Sequence, residues 1–399
     1  MEYSKLANNF SAISLADDAR LCSESEHYST TRFLELSMAS IVAFAGVIGN
    51  IILLYVLLSK KDSSAKPTLY PAALALFDCL LCIVYILMFG LDAIIHYSKS
   101  YFLFVIYNYY IKEVYFLSKL IQISIPYMLI FGNIERLIWT FGRIKNKILI
   151  NTQSKRGRKW TLSLTIIFCI IARSPIYFGF KMVDYEECNN VMRSKALEPT
   201  EWFLNGYGGF DLYAFIILQT FFPFFVLLFL NFVIIHRMSR KSLLTANQTS
   251  FIPTGKLDSN EISITRKVSS CSNNLSVTLT LKRKNSFTNL KMDTQMRNAV
   301  ITMTIVVASY LLSNSLHLIL TMLEQTNSKI LKNDEDPSMA SLFHTYFSDL
   351  VSFVYMFTSA ARILIYYICN PVIRKDLQQF FKAICHMGKS EKIEPVTAV

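Results

Sequence analysis

Charge is scarce in this 399-residue chain: Asp, Glu, Lys and Arg make up 17% of it, against roughly 25% in an ordinary soluble domain. The first 33 residues are polar and contain no apolar core of the kind a cleavable signal peptide requires, so the first apolar run is expected to direct membrane insertion itself. No internal repeat, heptad series or low-complexity tract is present. Paired inverted segments broken by Gly or Pro, the mark of many transporters, are also missing. Of six histidines, His317 and His344 sit towards the outer ends of apolar runs and His236 closes another at its inner end, so no two of these three share a run end. The clustered ligands of an intramembrane metal hydrolase are therefore lacking, and neither enzyme activity nor a metal is expected.

What the chain has is apolar length. By composition it is 53% hydrophobic, and seven runs reach the roughly 20 residues that cross a hydrocarbon core of about 30 Å: 36–58, 68–91, 103–130, 160–180, 207–236, 298–322 and 342–369. A lipid-exposed backbone must satisfy its own hydrogen bonds, so these runs are expected to be α-helices in one bundle. The fold class expected is an all-α membrane protein, a seven-helix bundle over 36–369 with a tail at 1–35.

Orientation follows from the basic residues. Lys60, Lys61 and Lys66 follow the first run, and Arg143, Lys145, Lys147, Lys155, Arg156, Arg158 and Lys159 follow the third. Alternate segments carry Asp17, Asp18, Glu24 and Glu26, then Asp184, Glu186, Glu187, Glu198 and Glu201, then Asp334, Glu335 and Asp336. The N-terminus is expected outside, in the plasma membrane, and the C-terminus inside. The same asymmetry accounts for most of the net charge of +12, so contact with membrane lipids, not nucleic acid, is its expected meaning.

The longest polar stretch, 237–296, has too little apolar area to offset ordering entropy and is expected to be a disordered cytoplasmic loop. Within it Ser286 follows "LKRKN", the surroundings of a basic-directed phosphorylation site. The final segment, 370–399, opens with "NPVIRKDLQQFFKAIC". Pro371 suits a first helical turn, and Val372, Leu377, Phe380, Phe381 and Ile384 share a face opposite Arg374, Lys375 and Lys382. That is an amphipathic eighth helix lying in the interface. At its end stands Cys385, either a palmitoylation site or a free thiol. Asn9 begins an outward glycosylation acceptor, Asn-Phe-Ser. Cys79, Cys82 and Cys169 fall in the runs and read as small buried hydrophobes, while Cys22 and Cys188 fall in outward segments, where disulfides persist.

The motifs within the runs point further. Gly49-Asn50 stands in the first, Asp78 in "LALFD" of the second, Glu135-Arg136-Leu137 at the end of the third and Pro223 in "FFPFF" of the fifth. In these positions the chain resembles the rhodopsin-like G-protein-coupled receptors over nearly the whole membrane region, and patterns such as "SYLLSN" resemble divergent nematode and other invertebrate neuropeptide receptors. The resemblance implies coupling to a heterotrimeric G protein, with Glu135 and Arg136 as the switch. An unpaired charge inside a membrane helix costs about 2.5–3.5 kcal/mol on insertion scales, so moving Arg136 between partners makes two states. For Asp78 the resemblance implies resting-state sodium beside Asn50; a protonated Asp78 bonded to Asn50 is the alternative.

The departures are specific. The sixth run reads Tyr310, Ser313, Asn314 and Leu316 where the family has its Trp and Pro, and the seventh has Arg362 and Ile363 in place of Asn-Pro, although Tyr366 remains. Asn231 replaces a Tyr. Without Pro the sixth helix keeps its ladder. Arg362 must find a partner, and by resemblance Asp78 lies near it, so a direct pair would exclude sodium and leave no cofactor. Near Ile111 the family's third-helix Cys is absent, which leaves Cys22 as the outward partner for Cys188.

An amine ligand is not expected, because Ser118 stands where amine receptors carry Asp, and retinal is excluded because the seventh run has no Lys. Outward-half candidates for an agonist are Lys119 and Gln122, which share a face, with Arg173, Asp211 and His317; Glu113, Tyr115, Gln219, His344 and Asp349 lie nearby. Mixed charge with aromatics suits a peptide; a chemosensory receptor for a small environmental molecule remains the alternative.

Overall fold

A computed structural model describes residues 29–59, 68–141, 154–186, 188, 190–203, 205, 214, 216–249, 273–326, 330 and 341–390. Ser29 starts α1 (Thr30–Leu58) by accepting the Arg32 N–H at 3.1 Å, the usual service of a serine N-cap. Helix α2 (Leu69–Ser98) contains a π-helical turn at Ile86–Gly90 and ends at Lys99 in the left-handed conformation. Helix α3 (Tyr101–Phe141) carries Pro126 internally, and α4 (Lys155–Gly179) is capped by Ser154. A π-helical segment at Ile216–Phe221 leads into α5 (Phe222–Thr249), so Pro223 sits in a first turn, where its missing N–H is harmless. The sixth run is α6 (Asn273–Gln325), with no internal proline. The seventh run is two helices, α7 (Leu342–Ala360) and α8 (Arg362–Cys369), bent by 41° at Ala361.

Six helices are long and apolar enough to cross a membrane, and seven if the bent pair counts as one span. They close into a ring: α1 packs on α2, α2 on α3, α5 on α6, α6 on α7, and α7 back on α1 and α2. Helix α3 is central, touching α2, α4, α5 and α6, and its Ile121, Ile125, Met128 and Leu129 are wholly buried. Polar Asn50, Asp78, Ser313 and Arg362 also lie inside, while Met38, Ile41, Phe44, Ile48, Ile51 and Tyr55 of α1 face outward. Apolar outside and polar inside is the arrangement a lipid solvent selects.

The eighth helix of the sequence is α9 (Pro371–Ser390). Asn370 caps it, its Oδ1 accepting the Val372 and Ile373 N–H groups at 3.2 and 3.3 Å. Leu377 is buried and Phe380 packs on Tyr55 of α1, ring centroids 5.2 Å apart.

Two features lie outside the spans. The stretch 237–296 is helical over 237–249 and 273–296, with 250–272 outside the described residues; an α-helical ladder is closed locally and can extend from a membrane helix without burying apolar area. The all-α bundle is the architecture expected, with one small strand pair in the connection between α4 and α5. Strands β1 (Phe180–Asp184) and β2 (Lys195–Pro199) pair antiparallel between α4 and α5, tied by Lys195 Nζ to Asp184 Oδ1 at 2.9 Å and by a Tyr185–Glu198 hydrogen bond.

Candidate functional site

A cavity of about 300 Å³ opens among α2, α3, α6 and α7, towards the end of the bundle where α1 begins. Tyr115, Ser118, Lys119 and Gln122 reach it from α3, one helical face at three- and four-residue spacing. Asn314 and His317 reach it from α6, again one turn apart. Both π-helical segments contribute: Met88 and Phe89 from α2, and Gln219 ahead of α5. A π turn adds a residue and re-aims the side chains beyond it, which is why such turns gather at functional sites. The turn in α2 is braced by the Tyr107 and Tyr110 hydroxyls, which donate to the Met88 and Leu87 carbonyls at 3.3 and 3.1 Å.

One wall of this cavity is a hydrogen-bonded chain. Arg173 of α4 donates to Gln219 Oε1, Gln219 Nε2 donates to Gln122 Oε1 at 3.3 Å, and Gln122 Nε2 donates to Ser118 Oγ at 3.3 Å. Lys119, Gln122 and His317 line the cavity, whereas Arg173 is not among its lining residues and donates to Gln219, which is one of them. Asp211 lies outside the described residues. His317 is occupied by Thr321 through Nδ1 at 3.1 Å, and Glu324 at the rim meets His344 at 3.3 Å. Lys119 has no carboxylate within ion-pair distance among the described residues; its Nζ stands 5.2 Å from the Tyr115 ring centroid.

Beneath the cavity lies a buried charge pair, Arg362 Nε to Asp78 Oδ2 at 3.0 Å, with 1% and 0% of the side chains exposed. The guanidinium supplies the positive charge that a sodium ion would otherwise bring, so this site does not fit a second cation. Asn50 is not bonded to Asp78. Its Nδ2 donates to the carbonyls of Gly46 at 3.0 Å and Ser359 at 3.1 Å, the latter just before the bend at Ala361. Tyr366, one turn beyond Arg362, lies within electrostatic range of both Arg362 and Arg136.

At the far end of α3, Glu135 and Arg136 are both buried. The sequence pairs Glu135 with Arg136 alone. The structure adds Arg158 of α4, whose Nη1 is 3.3 Å from Glu135 Oε1, so Glu135 is shared between the neighbouring Arg136 and the next helix. Asn231 meets Asn133 Nδ2 at 3.5 Å, joining α5 to α3. Arg158 was visible only as one charge in a basic loop, and nothing in its spacing marked it from its neighbours.

The sequence also passed over Arg32. Its Nε and Nη2 donate to the two Asp349 oxygens at 2.7 and 3.2 Å, a bidentate tie from α1 to α7. Cys188 is disulfide-bonded, and since Cys79, Cys82, Cys169 and Cys369 are free, its partner lies outside the described residues. Cys22 and Asn9 lie outside them too, as does the side chain of Cys385.

No family model matches the sequence, and no curated protein matches it. By shape the chain is similar to the crystal structure of squid rhodopsin, with a TM-score of 0.56 and 16% sequence identity over 90% of this chain and 84% of that one. The likeness is one of fold: the helical bundle of this chain has the rhodopsin fold.

Proposed function

We propose that this protein is a G-protein-coupled receptor of the plasma membrane, N-terminus outside, which transduces binding of a secreted neuropeptide to a heterotrimeric G protein. The observation that carries the reading is the placement of Glu135 and Arg136, both buried at the end of α3 opposite the cavity, in a bundle with the rhodopsin fold. Agonist in the cavity favours an arrangement in which Arg136 leaves Glu135 and faces a G-protein element. Moving such an equilibrium from 1:99 to 99:1 takes about 5.5 kcal/mol of differential binding. The proposal places sodium out of the mechanism, its role at Asp78 taken by Arg362, and pairs Cys22 with Cys188 as a staple between the tail and the β1–β2 connection.

A small environmental ligand is the second reading, favoured by a cavity volume of about 300 Å³, the low end of the range for ligand sites. The test is G-protein nucleotide exchange in cells expressing the chain, against a neuropeptide library and a panel of small molecules, with Arg136→Ala as control. A peptide response lost in Arg136→Ala supports the reading. Silence to peptides with a response to small molecules moves it to the second, and a response that survives Arg136→Ala refutes the switch.

A further inference from the structure

We propose that the α3 wall of the cavity is a hydrogen-bond donor site for a neutral carbonyl oxygen, met by the Ser118 hydroxyl and oriented from outside the cavity by Arg173. This rests on the receptor reading for its biological meaning but not for its chemistry. Arg173 is 4% exposed, and a guanidinium has only hydrogens to give. Whatever it touches must turn an oxygen to it, and Gln219 does, through Oε1. The Gln219 amide nitrogen is then left facing Gln122, so Gln122 must present its own oxygen, at 3.3 Å. The Gln122 nitrogen in turn faces Ser118 Oγ, again at 3.3 Å. A donor-only cation at one end thus fixes the direction of every link, and neither amide is free to flip.

Ser118 closes the chain as an acceptor, which leaves its own hydrogen to place. A helical serine can return that hydrogen to the carbonyl one turn back, as Ser124 does to Leu120 at 2.7 Å. Ser118 makes no such bond: accepting from Gln122 is its one hydrogen bond among the described residues. It is 6% exposed and lines the cavity together with Gln122 and Gln219. Each amide nitrogen also keeps a second hydrogen, while every oxygen along the chain already receives one. The acids nearby do not answer this wall, since Asp78 is held by Arg362, Asp349 by Arg32, and Glu324 sits at the rim with His344. A buried donor calls for an acceptor, and the apolar lining, with Leu81, Val84, Leu320, Val351 and Met356, calls for an apolar body around it. A neutral carbonyl compound supplies both. It is either a peptide, through a backbone carbonyl beside apolar side chains, or a small ketone, ester or amide. Arg173 acts only through Gln219 and is a positioning residue.

The test uses the purified full-length chain in lipid nanodiscs and two probes of one shape, acetophenone and α-methylstyrene, in which a methylene group takes the place of the carbonyl oxygen. Binding is read by ligand-observed NMR, each probe being compared across variants so that its partition into lipid cancels. Ser118→Ala is expected to weaken acetophenone roughly two- to tenfold, the range for a neutral hydrogen bond, and to leave α-methylstyrene unchanged. Arg173→Met frees the amides to turn and is expected to do the same, whereas Arg173→Lys, still donor-only, retains acetophenone binding. A merely structural Arg173 would weaken both probes together. No binding of acetophenone, an affinity indifferent to Ser118→Ala, or equal losses for both probes overturns the site. Nucleotide exchange on added G protein separates the receptor reading from it. Acetophenone that binds through Ser118, in a chain where neither peptides nor small carbonyl compounds drive exchange, leaves the site standing and sinks the receptor. Exchange driven by a peptide and indifferent to Ser118→Ala does the reverse. Exchange that Ser118→Ala weakens supports both, and whether a peptide or a small compound drives it identifies the source of the carbonyl.

Discussion

Removing the Asp78 charge while keeping its shape, Asp78→Asn, strands Arg362 in the middle of the bundle. The guanidinium is 1% exposed and 3.0 Å from its carboxylate partner, and removing one partner of such a pair costs about 3–5 kcal/mol. Arg362→Met is expected to cost less, because a lone carboxylate can take up a proton while an arginine keeps its charge. The double variant has no charge left to strand, so it should recover much of the loss. A loss of 3 kcal/mol, expressed wholly in the unfolding rate, shortens the half-life roughly 150-fold. Buried free thiols provide the assay: Cys169 on α4 is fully buried, and its labelling rate by a thiol-reactive dye in nanodiscs at fixed temperature tracks opening of the bundle. If the two single losses simply add in the double variant, leaving less than about 0.5 kcal/mol of coupling, the pair holds nothing and the reasoning fails.

Other contacts carry three more expected outcomes. Glu135→Gln and Arg158→Met should each raise basal nucleotide exchange at equal surface expression, by about fivefold if each contact biases the resting state by about 1 kcal/mol; a basal rate moved by neither would show that the shared carboxylate locks nothing. Gly46→Ala puts a methyl 2.6 Å from the Ala360 Cβ and 2.9 Å from its Cα, so α1 must shift away from the seventh span, at a cost of about 1–3 kcal/mol; unchanged thermal stability would mean that the helices separate freely there. Arg32→Met removes both bonds to Asp349 and is expected to cost about 1.5–3 kcal/mol, with amide exchange rising first in the opening turns of α1 and α7; a rise elsewhere would place the effect outside that tie.

Most of the architecture was legible because a bilayer imposes length and polarity on one chain segment at a time. The run 36–58 became Thr30–Leu58, 298–322 became the membrane part of α6, and Pro371 marked the start of α9. Pairing was legible only where two orphan charges demanded each other. Asp78 and Arg362 were both out of place in apolar runs. Arg158 was not, being one of several cations in a loop, so its contact with Glu135 had no signature. The π turns were invisible for a related reason: "ILMFG" and "IILQTF" satisfy an α-helical pattern equally well, and the wider turn in α2 is selected by the Tyr107 and Tyr110 hydroxyls arriving from α3. Arg173 was an outward-half candidate in the sequence, and in the structure Gln219 stands between it and the cavity, bonded to its guanidinium. Face periodicity locates a side chain around a helix, but depth and intermediaries belong to tertiary contacts.

The seventh span shows how a lost motif can be replaced. Its bend of 41° occurs without proline, and a sharp bend needs a cause such as a group inserted into the ladder. Asn50 is that group. Its Nδ2 donates to the Ser359 carbonyl at 3.1 Å, an acceptor a continuous helix would use for its own ladder, while Gly46 on the turn before leaves room for Ala360. Arg362 is the first residue past the break, so the bend sets the direction in which its side chain meets Asp78. If the bend and the charge pair are one device, Asn50→Leu should do two things. It should destabilise by about 1–3 kcal/mol for the carbonyl it deprives, and it should shrink the Asp78–Arg362 coupling when the double-mutant cycle is repeated in that background. A cycle that returns the same coupling energy with and without Asn50 would show instead that Arg362 finds Asp78 however the helix is bent. The asparagine would then be a packing residue, and the hinge would have to be sought in the π turns of α2 and ahead of α5.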